Sequence, residues 1–129
     1  MSEKVIMKTY AKGARSEREL LKFLDYKGFS CVRSASSGGF FSPVDIVATK
    51  KGFIIAIECK AWSTKPKLKK EKLREFKKWC ERAGAKGFLA WYNNAKWKFL
   101  RIEDAEKNKY EDENWFSLND FLRLIDLYG

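Results

Sequence analysis

The sequence contains no histidine among its 129 residues. Without histidine the chain can form neither a serine–histidine nor a cysteine–histidine catalytic pair, and it lacks the usual ligand of catalytic zinc. Its three cysteines, Cys31, Cys59 and Cys80, include no CxxC pair. Their odd number and apolar neighbours predict reduced thiols rather than disulfides or structural zinc. Catalysis must therefore come from carboxylates, lysines, hydroxyl groups and a hard cation bound by oxygen.

Long apolar runs are also missing. No stretch approaches the roughly 18 apolar residues of a membrane span, and the first residues do not form a charged-then-apolar signal region. The chain is 45% hydrophobic and 16% aromatic, which argues against disorder. We expect a single domain over residues 1–129 in a soluble, cytoplasmic protein, with neither a membrane partner nor a small-molecule substrate.

Acidic residues are scarce except near the C-terminus. Residues 1–102 carry 24 basic and 9 acidic side chains, whereas residues 103–129 carry 3 basic and 8 acidic ones. This asymmetry is typical of a protein whose basic main part binds a polyanion and whose C-terminal segment is mildly acidic. Nucleic acid is the leading partner. The alternative is a solvated surface rich in lysine and glutamate, as in thermostable proteins.

Two acids and one lysine stand at the ends of two predicted strands. Residues 53–57 form an apolar run that predicts a buried strand, and Glu58 and Lys60 follow it directly. Side chains alternate along a strand, so these two share one face while Cys59 points to the other. Asp45 opens the preceding strand, and a short link at residues 50–52 predicts a hairpin. Convergence of these charges is typical of a metal-dependent phosphodiesterase.

A third carboxylate is predicted on the first helix, from Ser16 to Gly28. At about 100° per residue, the leucines of this helix fall within about 60° of Glu17, while Glu19 falls on the opposite side. Two explanations remain open. Acids favour the first turn of a helix, or Glu17 shares a cation with Asp45 and Glu58.

The remaining pattern predicts an α/β fold with a central mixed five-stranded sheet flanked by helices. The element order is helix, three strands, helix, two strands, helix. The predicted segments are a basic N-terminal arm at 1–14, strands at 29–33, 44–50, 53–61, 87–92 and 96–102, further helices at 66–83 and 117–127, and loops at 34–39 and 103–114.

A lysine-rich stretch, Lys65–Lys78, carries a net charge of +6. Such a run is either a solvated helix face or a track for DNA phosphates, and its start five residues after Lys60 favours the track. Phosphate contacts make binding sensitive to salt and indifferent to sequence. Arg33, at the end of the first predicted strand, also has two interpretations. It anchors a backbone phosphate of DNA, or it pairs with an acidic side chain.

Short motifs that share a family pattern extend over most of the chain. They are Lys12-Gly13, Glu17-Arg18-Glu19-Leu20, Lys27-Gly28-Phe29, Val32-Arg33-Ser34-Ala35, Ser37-Gly38, Pro43-Val44-Asp45-Ile46-Val47-Ala48 and Ile57-Glu58-Cys59-Lys60. Together they resemble the archaeal Holliday junction resolvase family, within the restriction-endonuclease-like nucleases. The coincidence of the Asp…Glu-x-Lys pattern with the Glu-Arg helix and the Arg-Ser-Ala-Ser-Ser-Gly loop makes the resemblance specific.

The resemblance implies a site and a reaction. Glu17, Asp45 and Glu58 would bind one or two magnesium ions, replaceable by manganese, with the Cys59 backbone carbonyl as a further ligand. Lys60 would orient the attacking water, and Ser37 would contact the scissile phosphate. A homodimer would nick a four-way DNA junction symmetrically in recombination and repair. The expected DNA contacts are Lys12, Gly13, Arg15, Arg18, Arg33, Ser37, Lys65, Lys67, Lys69 and Lys70.

Two other functions remain open. The first is a restriction- or repair-type endonuclease of the same fold that acts on linear, nicked or flapped DNA. The second is a non-catalytic DNA-binding module on a nuclease scaffold. Intact Glu17, Asp45, Glu58 and Lys60 argue against the second, since a module without catalysis does not need four converging charges.

Overall fold

In the computed structural model, a mixed six-stranded sheet follows the order of the chain, β1 to β6. The structure describes residues 3–34 and 43–128, and for residues 3–14 it describes the helical backbone. β3 and β4 are parallel, while every other neighbouring pair is antiparallel. The strands are β1 (Ser30–Arg33), β2 (Ile46–Lys50), β3 (Phe53–Lys60), β4 (Ala85–Asn93), β5 (Lys96–Arg101) and β6 (Phe116–Ser117). The helices are α1 (Glu3–Tyr26), α2 (Lys70–Ala83), α3 (Ile102–Glu106) and α4 (Leu118–Tyr128).

Each side of the sheet carries its own hydrophobic core. One core joins Leu20 and Leu24 of α1 and Phe121 of α4 to Ile55 and Ile57. The other joins Phe76 and Cys80 of α2 to Ala56 and Leu89. Because side chains alternate along β3, its even-numbered residues face α2 and its odd-numbered residues face α1. Glu58 and Lys60 therefore both lie on the α2 side, which confirms the prediction that they share one face.

The first helix begins at Glu3, so the predicted start at Ser16 and the separate arm over 1–14 are wrong. No proline interrupts this stretch, and a single glycine inside a helix costs only about 1 kcal/mol relative to alanine. Ser16 is buried within the helix instead of capping its start. Among the described helices, none is long and apolar enough to cross a membrane.

The second helix begins at Lys70 rather than at Pro66. Pro66 and Leu68 are buried and alternate with exposed lysines, so residues 65–69 form an extended segment fixed by its apolar side chains. The predicted end is confirmed: Gly84 adopts a left-handed conformation with φ of 67° and closes the helix. Packing is close at Gly87, where a Cβ atom would lie 2.8 Å from Phe76 Cε1.

The two hairpins follow their turn residues. Lys50 pairs with Phe53 across a turn in which Lys51 and Gly52 have positive φ, which confirms the predicted link between β2 and β3. Asn93 pairs with Lys96 at the end of the β4–β5 hairpin, and Asn94 adopts positive φ in that turn.

The segment 103–114 is not the single loop that its polar sequence predicts. It begins within α3, where buried Ile102 and Ala105 anchor one short helix, and ends in a 3₁₀ turn at Asp112–Asn114. After Trp115, Phe116 and Ser117 form β6, a sixth strand too short to show a period-two pattern. Ser117 Oγ accepts a hydrogen bond of 3.1 Å from the Asp120 N–H and so caps the start of α4, which begins at Leu118.

Candidate active site

The two acids of the Asp…Glu-x-Lys pattern meet at one edge of the sheet. The antiparallel register pairs Ile46 with Ile57, so Asp45 lies beside Glu58 where β2 begins and β3 ends. Both side chains are almost fully buried, with exposed fractions of 3% and 2%. Asp45 Oδ2 accepts a hydrogen bond of 2.7 Å from the Cys59 N–H, which fixes its position. The hairpin thus brings together the carboxylates that the sequence singled out.

Glu58 contacts two lysines through the same oxygen. Lys60 Nζ and Lys72 Nζ each lie 3.5 Å from Glu58 Oε1. The second oxygen, Oε2, is buried and has no hydrogen-bond partner among the described residues. Burial, assisted by the neighbouring Asp45, raises the pKa of Glu58 to about 8, although both lysines oppose the shift. A cation at Oε2 would favour the ionised carboxylate and remove an unsatisfied buried polar atom.

Glu17 reaches the same edge from α1. It continues the buried stripe of Leu20 and Leu24, and Glu19 is exposed, as the helical period predicted. Oxygens of Glu17 and Asp45 and the Cys59 sulfur all lie within 4.8 Å of one another. Glu58 is not part of this group of three, so Asp45 is the residue that borders both the Glu17 and the Glu58 carboxylates. Burial raises the pKa of Glu17, while Arg33 opposes the shift.

Arg33 pairs with an acid. Its Nε donates a hydrogen bond of 2.6 Å to Glu17 Oε2, and both side chains are largely buried. Of the two readings of Arg33 that the sequence left open, the structure shows the pair with Glu17. This contact orients the carboxylate at the end of β1, while contact of Arg33 with DNA stays a prediction.

The Cys59 side chain does not supply a thiolate. Burial, with the nearby charges of Asp45 and Glu17, raises the pKa of this thiol well above its ordinary value of 9. Since the thiolate is the form that binds metal, a thiol that stays protonated at neutral pH is a poor ligand. The backbone carbonyl of Cys59 remains its predicted contribution.

Lys60 lies between the buried acid and the surface. Its Nζ is 5.3 Å from the centre of the Trp62 ring, in addition to its contact with Glu58. The side chain is 19% exposed and Trp62 is 44% exposed. A cation that contacts the acid and still reaches solvent is suited to orient a water or a phosphate at this edge.

The expected DNA contacts lie largely on the surface. Lys65 forms an ion pair with Asp112, and Lys67 Nζ lies 5.5 Å from the centre of the Tyr110 ring. The acidic segment thus packs along part of the lysine-rich stretch. Ser37, the Lys12 side chain and the burial of Gly13 lie outside what the structure describes. The exposed residues of the set are Arg15, Arg18, Lys65, Lys67, Lys69 and Lys70.

Sequence reasoning missed Lys72 as a residue of this site and assigned it to the basic surface. A signal was available, because residues four apart on a helix share a face. Lys72, Phe76 and Cys80 follow that spacing, and the last two are buried against the sheet. Lys72 therefore stands on the stripe that faces β3, not on the solvent side.

Known proteins with similar sequences share one activity. A family model described as archaeal Holliday junction resolvase (Hjc) matches residues 8–126. The crossover junction endodeoxyribonuclease Hjc of Methanocaldococcus jannaschii is 38% identical over 108 residues, which cover 81% of this chain and 78% of that protein. The crossover junction endodeoxyribonuclease Hje of Saccharolobus islandicus is 28% identical over 120 residues, 88% of this chain and 89% of that protein.

A solved structure agrees with the sequence matches. Hjc of Archaeoglobus fulgidus, a Holliday junction resolvase, superposes with a TM-score of 0.60 at 30% identity, over 70% of this chain and 78% of that one. The fold is restriction-endonuclease-like, with six strands rather than the predicted five. The family match, the shared fold and the acids at the edge of the sheet agree: the chain belongs to the archaeal Holliday junction resolvase family.

Proposed function

We propose that this chain is a structure-specific endonuclease of DNA recombination and repair that resolves four-way junctions by metal-dependent hydrolysis. The observation that carries the proposal is the pair of buried acids, Asp45 and Glu58, next to Lys60 at one sheet edge. Burying two adjacent carboxylates is costly unless a cation joins them, and hydrolysis of a phosphodiester requires such a cation.

The residues present fit magnesium. Hard cations take oxygen ligands, and the unpartnered Glu58 Oε2 is a buried oxygen beside Asp45. Glu17, Asp45 and Glu58, with the Cys59 carbonyl, would hold one or two ions, and manganese would substitute for magnesium. When bound, magnesium supplies neutralisation of phosphate charge and acidification of water.

Lys60 has the role of orienting the attacking water. Its ammonium group lies 3.5 Å from Glu58 Oε1 and carries three hydrogen-bond donors and no acceptor, so its role is to position the water rather than to abstract a proton. The Glu17–Arg33 pair fixes the third acid from the opposite side of the sheet. Contact of Ser37 with the scissile phosphate remains a prediction from the family pattern.

DNA binding would use the exposed basic residues near this edge. Lys65, Lys67, Lys69 and Lys70 extend from the end of β3 to the start of α2, and Arg15 and Arg18 lie on α1. Contacts of this kind address phosphates, so recognition depends on the branched shape rather than on base sequence. Lys12, Gly13 and Arg33 complete the proposed set.

A homodimer would supply the two cuts that a junction requires. Two equivalent sites related by a two-fold axis nick two strands at symmetric positions. We propose this assembly and a cytoplasmic location.

The test is incubation with an immobile four-way junction, with and without magnesium, with the nicks mapped on all four strands. We expect symmetric nicks on two strands, only with the metal, and little cutting of a linear duplex of matching sequence. Asp45→Ala and Glu58→Ala should bind the junction and fail to cut it. Preferential cutting of linear, nicked or flapped DNA would support a restriction- or repair-type enzyme, and absence of cutting on any DNA would support a binding module.

A further inference from the structure

We propose that Lys72 is a positioning residue of the active site and acts through Glu58. This inference rests on the proposed function. The family motif includes Lys60 of β3, whereas Lys72 comes from α2, twelve positions further along the chain.

The packing of α2 sets the position of Lys72. Phe76 and Cys80 bury the same helix stripe against the sheet, and Gly87 of β4 leaves the space that their side chains occupy. The Lys72 side chain is only 29% exposed, and its ammonium ends 3.5 Å from Glu58 Oε1. The Lys72 side chain therefore extends from α2 toward Glu58 on the sheet, whereas the lysines that precede α2 are exposed to solvent.

Both lysines contact the same oxygen of Glu58, and this selects the orientation of the carboxylate. Because Oε1 is the oxygen in contact with both Lys60 and Lys72, Oε2 is the buried oxygen of Glu58 that has no hydrogen-bond partner among the described residues. That oxygen is the one available to a divalent ion. Lys72 thus presents Glu58 in a metal-binding orientation.

The shared contact also concerns Lys60. Without Lys72, Lys60 would be the sole described cation in contact with Glu58 and would be held by it. With Lys72 in place, the buried charge keeps a partner when Lys60 turns toward water or phosphate. Lys72 therefore allows Lys60 to act on the substrate.

The experiment compares Lys72→Met and Lys72→Arg with Lys22→Met, which removes an exposed lysine near the C-terminal end of α1. Junction affinity is measured in calcium, and the single-turnover cutting rate is measured in magnesium with protein in excess. We expect Lys72→Met to cut at least about tenfold more slowly with little change in affinity, and Lys72→Arg to recover most of the loss. Lys22→Met should match the wild type within about twofold.

A second measurement does not depend on cutting. The midpoint of thermal unfolding without metal, at a pH above the Glu58 pKa of about 8 so that the carboxylate is ionised, is compared for Lys72→Met, Glu58→Gln and the double variant. We expect the two shifts not to add, because the residues are in contact, whereas Lys22→Met and Glu58→Gln should add.

The outcomes separate this inference from the proposed function. If the wild type cuts no junction, the proposed function fails and the role of Lys72 fails with it. If the wild type cuts, but Lys72→Met cuts as fast as Lys22→Met or its unfolding shift adds to that of Glu58→Gln, only the inference about Lys72 is overturned.

Discussion

Two groups of lysines lie within one stretch of thirteen residues, 60–72, and differ in what they contact. Lys60 and Lys72 converge on one oxygen of the buried Glu58. The segment 65–70 instead exposes its lysines, and the partner of Lys65 is Asp112, which is 84% exposed. A charge pair next to a buried acid interacts through a medium of low effective dielectric, whereas an exposed pair is screened by water and salt. Burial therefore separates lysines that organise the chemistry from lysines that attract the DNA.

The largest expected effect follows from removing the charge of Lys60. Lys60→Met should lower the single-turnover cutting rate about 100-fold or more, because removing one preorganised donor at a reacting centre costs roughly two to three orders of magnitude. Junction affinity should change little, as should both quantities for Lys22→Met. If Lys60→Met cuts at the normal rate at saturating protein and only binds the junction more weakly, Lys60 acts like the exposed lysines of segment 65–70, which attract the DNA.

The exposed group should show the reverse behaviour. In Lys69→Met/Lys70→Met, we expect weaker junction binding and a slope of affinity against salt concentration, on logarithmic scales, smaller by about 2. The cutting rate at saturating protein should match the wild type. Titrations at several salt concentrations measure the slope, and an unchanged slope would remove these lysines from the phosphate track.

The stability of the metal-free protein should depend on pH through Glu58. Its pKa rises from 4.5 to about 8 on folding, so the folded state holds the proton more tightly between these values. Stability should be highest at the acidic end of this range and fall as pH rises, by at most about 1.4 kcal/mol per pH unit from this group. Urea unfolding from pH 5 to 8 measures the slope. Glu58→Gln should flatten it, and an equal slope in that variant would assign the dependence to other groups.

The smallest effect is expected at the exposed pair. Asp112→Asn releases Lys65, and we expect junction affinity to rise by no more than about twofold, since exposed ion pairs contribute little. Fluorescence titration at low salt measures the change. A large gain would mean that the acidic segment blocks the DNA surface.

The centre of the site was predictable because local periods determine it. Alternation along β3 places Glu58 and Lys60 on one face, a two-residue turn brings Asp45 beside them, and the helical period directs Glu17 toward the sheet. These inferences require only neighbours along the chain or across one hairpin.

The remaining features depend on packing between distant elements. The contact of Lys72 with Glu58 follows from how α2 lies on β4, and the Arg33–Glu17 pair follows from how α1 lies on β1. The start of α2 was misplaced because Pro66 and Leu68 are buried in an extended segment, a tertiary preference that overrides the usual role of proline at a helix start. A two-residue strand such as β6 carries no period at all.

The most direct test of the account is the position of the metal. A crystal of the wild-type protein grown with manganese, measured at a wavelength where manganese scatters anomalously, locates the ion without assumptions about ligands. We expect an anomalous peak in contact with Asp45 and with Glu58 through Oε2, while Lys60 and Lys72 remain in contact with Oε1. A peak elsewhere, or none at this edge of the sheet, would contradict it.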